Sequence, residues 1–186
     1  MSAVDAPGAD GRAVESALAF AERSPDTTRS RTITWQDPLP AAAAGARLSG
    51  MEYVEAIRSG ELPPPPIAVV MNMAMVELSD GKAVFEGEPG EEHYNPIGVV
   101  HGGYASTILD SALGCAVQTT LERGVGYTTL TLETKFVRAI TRDTGRVRAE
   151  ANVLHPGRRQ MTAEAQLHAV ATGKLLAHAT TTCLIV

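Results

Sequence analysis

A histidine followed by two glycines, His101-Gly102-Gly103, opens a long run of helix formers and small residues with one carboxylate, Asp110, in its middle. A Gly-Gly pair at a helix start lets the backbone pack closely and leaves N–H groups without helical partners, where the helix dipole favours developing negative charge. That is the raw material of an oxyanion hole. Ala105, Ile108, Leu109, Ala112, Leu113 and Ala116 recur at three- and four-residue spacing and form an apolar stripe. Gly103, Ser106, Thr107, Asp110, Gly114 and Val117 make a neighbouring face of mostly small residues. A carboxylate on so trimmed a face implies that another surface comes close to it; taken alone, the helix is equally compatible with Asp110 as a solvated mid-helix residue.

The rest of the chain must hold this helix. With 186 residues, 44% of them apolar and 20% charged, it has room for one soluble globular domain plus a tail. A net charge of −5 argues against general nucleic-acid or anionic-membrane binding. No apolar run reaches the length of a membrane span, and the N-terminus lacks the basic and apolar regions of a secretory signal. Cys115 and Cys183 lack metal-ligand spacing and fit buried, reduced thiols in a cytoplasm. His93, His155, His168 and His178 are scattered, so no metal cluster follows. No G-x-G-x-x-G or phosphate-binding loop supports a nucleotide-driven reaction.

Residues 1–48 read as a partly flexible N-terminal extension, with a short amphipathic helix over 12–23, a short strand over 32–35 and a Pro- and Ala-rich link over 37–46. The main domain, 49–186, begins with a capping box: Ser49 as N-cap, Glu52 three residues on, and Gly60 as the stop. Leu62 and the four prolines 63–66 must run extended. From Ile67 the pattern is strand-like, with Val69, Met71, Met73 and Met75 on one face; a turn at 79–82 returns the chain as a second strand. Beyond the central helix four amphipathic strands follow, with turns at 143–145, 156–158 and 171–173 linking them as a meander. The fold class is therefore α+β, one long helix against a long antiparallel sheet.

The pattern N-P-x-G-x-x-H-G-G-x-x-x-x-x-x-D over 95–110, with Gly126-Tyr127-Thr128-Thr129, the segment 133–139, His155-Pro156-Gly157-Arg158 and Gly173-Lys174-Leu175-Leu176-Ala177, resembles the hotdog-fold thioesterases of the phenylacetate-pathway (PaaI) type. The likeness runs in order over residues 50–186. It implies a hotdog fold, a homodimer joined edge to edge and often paired into a homotetramer, and hydrolysis of an acyl-CoA thioester with no metal or cofactor. In that family the Gly102 amide would hold the thioester oxygen, with Gly103 allowing close approach. Asn95 would position the thioester or the attacking water, and Asp110 would be a general base or a nucleophile. Thr129 or Thr128 matches a residue that orients the water. His101 matches a structural or polarising histidine. The carboxylate and the glycine amide would come from different subunits.

Coenzyme A also carries phosphates. Arg138, Arg158 and Arg159 fall at strand ends or turns, where guanidinium groups suit bidentate phosphate contacts, though each reads equally as surface charge. Two alternatives stand beside hydrolysis: a hotdog hydratase or dehydratase, disfavoured by the placement of Asp110, and a non-catalytic acyl-CoA-binding protein, which needs no carboxylate beside the thioester.

Overall fold

The computed structural model describes residues 28–186. The compact unit Thr34–Val186 is built as helix α1 (Pro38–Gly45), α2 (Gly50–Ser59), the single turn α3 (Pro66–Val70), strands β1 (Met73–Ser79) and β2 (Lys82–Gly87), the long helix α4 (Gly102–Thr119), then β3 (Tyr127–Phe136), β4 (Val147–Pro156), β5 (Gln160–Ala169) and β6 (Leu175–Ile185). All six strands join one antiparallel sheet in the order β1-β2-β4-β5-β6-β3. The α+β hotdog arrangement is thus present: a sheet wraps the central helix. Among the described residues no helix is long and apolar enough to cross a membrane.

The core lies between α4 and the inner face of the sheet. Ile108, Leu109, Ala112, Leu113 and Ala116 are fully buried, as their spacing predicts, and Val117, read on the neighbouring small-residue face, is fully buried with them. They meet Val147 and Leu167, and the small side chains of Ala83, Ala149 and Ala163, which let the sheet lie close to the helix. On the outer face Arg148 of β4 ties three strands through Glu77, Glu86 and Glu150, at 2.7, 3.0 and 2.7 Å.

Four expectations need correction. Residues 32–35 form no strand. The Pro- and Ala-rich link is largely helical: the Asp37 carboxylate accepts the Leu39 N–H at 3.0 Å, and Pro38 takes the first helical position, where no N–H is needed. The strand expected from Ile67 begins only at Met73, because Pro66 starts a helical turn and Asn72, at φ 49°, reverses the chain after it. Finally, only β4, β5 and β6 form a meander. Strand β3 pairs with β6 at the far edge, and the segment after it crosses back to place β4 beside β2. The expected helix over 12–23 lies outside the described residues.

Candidate active site

Helix α4 owes its start to His101. Its backbone is extended (φ −62°, ψ 140°), and its Nδ1 accepts the Gly103 N–H at 2.8 Å, satisfying one donor of the first turn. The neutral ring therefore carries its proton on Nε2, as a donor toward any ligand, not a free base. Gly103 is small because the His101 ring folds over it: a Cβ there would lie 2.9 Å from Nδ1. Gly102 lies under the Phe136 ring, 3.0 Å from where a Cβ would be. Its N–H makes no hydrogen bond among the described residues, and the helix dipole adds to that donor.

Strand β3 is the surface that the small-residue face anticipates. Phe136 covers Gly102; Thr134 receives the Ser106 hydroxyl at 3.4 Å; Thr129 donates to the Asp110 carboxylate at 3.4 Å; Tyr127 covers Gly114. The helix residues follow at i, i+4, i+8 and i+12, one stripe read against an antiparallel strand. A bulge between Thr129 and Thr131, with Leu130 turned out to solvent, sets the register: Thr129, not Thr128, reaches Asp110. Asp110 is half-buried, and that burial raises its pKa above the ordinary 3.8, opposed by the Thr129 bond. Nearby, burial pushes the Cys115 thiol up to about 12 and raises Tyr127. Both stay protonated at neutral pH.

The Tyr127–Gly114 contact carries a prediction. A methyl group at Gly114 would collide with the Tyr127 hydroxyl oxygen. Gly114→Ala is expected to lower stability by about 1–3 kcal/mol. Tyr127→Phe in the same chain should recover part of that loss, as read from denaturant midpoints of the single and double variants.

Asn95 sits in a turn that it organises. Its side-chain oxygen accepts the Ile97 and Val99 N–H groups at 3.1 and 3.3 Å, leaving its NH₂ available to a substrate. Two cavities of about 310 Å³ each flank the first turn of α4. One is lined by Gly102, Ala105, Phe136, Arg138, Ile140 and Leu176; the other by Met71, His93, His101, Gly103, Tyr104 and Thr107.

Not all expected residues meet. Eight residues of helix separate Gly102 from Asp110, about 12 Å at 1.5 Å each, so one chain does not bring both to one carbonyl carbon. The arginines divide as well. Arg138 lies at the Gly102 end, its guanidinium donating to the Leu175 carbonyl at 3.0 Å. Arg158 and Arg159 lie in the β4–β5 turn, at the end of the sheet where Gln160 pairs with Leu184 and Leu184 with Thr128. Nine residues of β6 separate the two ends, about 30 Å, so the three do not form one phosphate site within a chain. Thr128 points away from the helix. Among the described residues no group of three His, Cys, Asp or Glu side chains could hold a metal ion.

Residues 97–175 match the thioesterase superfamily model. Acyl-coenzyme A thioesterase 13 of Homo sapiens is 30% identical over 109 residues, 59% of this chain and 76% of that protein. The chain belongs to the PaaI-type hotdog thioesterases. A phenylacetic acid degradation-related protein from Ralstonia eutropha JMP134 is similar in structure, with a TM-score of 0.65 at 29% identity, covering 71% of this chain and 98% of that one. A point mutant of the phenylacetic acid degradation protein PaaI from Thermus thermophilus matches with a TM-score of 0.58 at 29% identity, over 64% of this chain and 98% of the other. As a member of this family the chain is a thioester hydrolase.

Two residues of the site were not singled out by sequence reasoning. Tyr127 was visible only as part of a motif; the signal for it is an aromatic at the strand start facing a glycine in the helix. His93 was counted among scattered histidines, yet it stands two residues before Asn95 in the loop that leads to the helix.

Proposed function

We propose that the chain hydrolyses acyl-CoA thioesters to a free carboxylic acid and CoA, at a site made by two copies of the chain. One copy supplies the Gly102 N–H, the His101 ring and the Asn95 amide. The other supplies Asp110 and Thr129. The observation that carries this reading is a Gly102 N–H with no partner among the described residues at the first turn of α4, together with a half-buried, hydroxyl-bonded carboxylate two turns on, in a chain of the thioesterase family. The separation of the two along one helix argues for the second copy. So does β3, a ten-residue strand that pairs on one side only among the described residues and carries an exposed Phe136, with exposed Val137 just after it.

On attack, the carbonyl oxygen becomes an oxyanion, which the Gly102 N–H and the helix dipole stabilise. Asp110 takes a proton from water as its oxygen bonds to the carbonyl carbon, with Thr129 fixing the carboxylate. Collapse of the intermediate breaks the C–S bond and releases CoA, whose sulfur receives the proton. In the alternative order Asp110 attacks the carbon itself, CoA leaves, and water hydrolyses the anhydride. Both orders use the same groups.

Thiol release from a panel of short, medium, long, phenylacetyl and benzoyl CoA esters tests the reading. Release from at least one member is expected; acyl-CoA that binds without release would favour a non-catalytic binding protein. For the phosphates, the turn at Arg158 and Arg159 is the first candidate. Replacing both by Ala is expected to raise KM for the best ester about tenfold, with kcat unchanged and with less effect at high salt. An unchanged KM would leave both as surface charge.

A further inference from the structure

The loop that carries Asn95 and leads into His101 is held by a histidine that no step of the reaction uses. The His93 side chain is only 8% exposed. Its Nδ1 accepts the Gly90 N–H at 3.0 Å, and its Nε2 meets the Val70 carbonyl at 3.3 Å. A ring that accepts at Nδ1 and donates at Nε2 is neutral and in one tautomer. Its face is fixed edge-on against Tyr104 of α4, centroids 4.9 Å apart. Its own carbonyl accepts the His101 N–H at 2.8 Å, directly before the first turn of the helix. His93 thus joins three pieces of chain, the end of α3, the start of the loop and the N-cap of α4. Asn72 reinforces the first junction by donating to the Glu88 carbonyl at 2.8 Å.

We propose that His93 is a positioning residue for the reaction. With its proton on Nε2 it holds the loop so that the Asn95 amide and the Gly102 N–H present to one carbonyl. This rests on the reading of Asn95 and Gly102 given above. The chemistry explains the residue type: one rigid side chain must accept from an N–H, donate to a carbonyl on its opposite side, and pack as an aromatic on Tyr104. Phe keeps only the packing. Asn keeps an acceptor and a donor but loses the packing and the reach.

The test uses the full chain. His93→Phe is expected to lower kcat about 10- to 100-fold, the scale of a small misplacement of catalytic groups, with KM within about threefold. His93→Asn should recover part of kcat. Nitrogen-15 NMR of the wild-type imidazoles should show His93 with the proton on Nε2, and amide exchange in His93→Phe should rise at Gly90, Ile97 and Val99 before the rest of the sheet. A kcat within twofold of wild type, a proton on Nδ1, or unchanged exchange at those three amides would overturn the proposal. Should the wild type release no thiol from any ester, the functional reading fails, while the tautomer and the exchange rates still decide whether His93 holds the loop.

Discussion

Asp110→Asn is expected to lower kcat by about 10²- to 10⁴-fold, the range of a positioned proton-transfer group, without unfolding the protein. The amide is nearly isosteric and still accepts from the Thr129 hydroxyl, so the stripe facing β3 stays intact. What it removes is a base and a charge. Burial raises the Asp110 pKa, so the folded state binds a proton more readily than the unfolded chain. The wild type therefore loses stability as pH rises through the interval between the unfolded and folded values, and the ionised carboxylate opposes folding above it. Asn carries no such penalty. The melting temperature of the variant should equal or exceed that of the wild type at neutral pH, with the gap closing as pH falls below the ordinary carboxylate value of 3.8. Activity moves oppositely: the acid limb of kcat/KM for the wild type should lie above 3.8, because the protonated acid cannot accept a proton. Near wild-type turnover in Asp110→Asn would remove the carboxylate from the mechanism.

How much of this was legible in the sequence depended on how local the cause is. The capping box of Ser49 and Glu52 and the stop at Gly60 are made by residues within one or two turns, and both are present as read. The apolar stripe of α4 needed only the 3.6-residue period. The small face of α4 was read correctly as a meeting place, but its occupant is set by topology. Strand β3 follows the helix in sequence, yet lies beside β6, a pairing made only after three more strands are in place. The register between Thr128 and Thr129 was open for a related reason: it turns on the bulge at Leu130, a defect that alternation hides. The single turn Pro66–Val70 escaped because Val69 falls in two-residue step with Met71, Met73 and Met75. A proline at the first helical position favours the helical reading there, and in the link after Asp37 as well. The three arginines were grouped by chemistry alone, and the length of the sheet separates them.

Gly102→Pro should be nearly as damaging as Asp110→Asn, and it isolates the donor better than any side-chain change. Proline deletes the N–H itself. Gly102 occupies the first helical position, where proline is well tolerated, and His101 before it already has the extended backbone that a following proline requires. The new ring atoms press on the edge of the Phe136 ring, 3.0 Å from where a Cβ would lie, so that side chain must give by a few tenths of an ångström. Loss of one oxyanion donor predicts a fall in kcat of about 10²- to 10³-fold, with the helix and the melting temperature largely kept. The two variants then test the shared site together. Each alone spoils every site. When they are unfolded together and refolded in equal amounts, half of the dimers are mixed, and in each mixed dimer one of the two sites joins an intact Gly102 to the intact Asp110 of the partner. Activity should return to about one quarter of wild type. No return, in dimers shown to be mixed, would place both groups of each site in one chain. The roughly 12 Å of helix between them would then have to be bridged by the substrate itself.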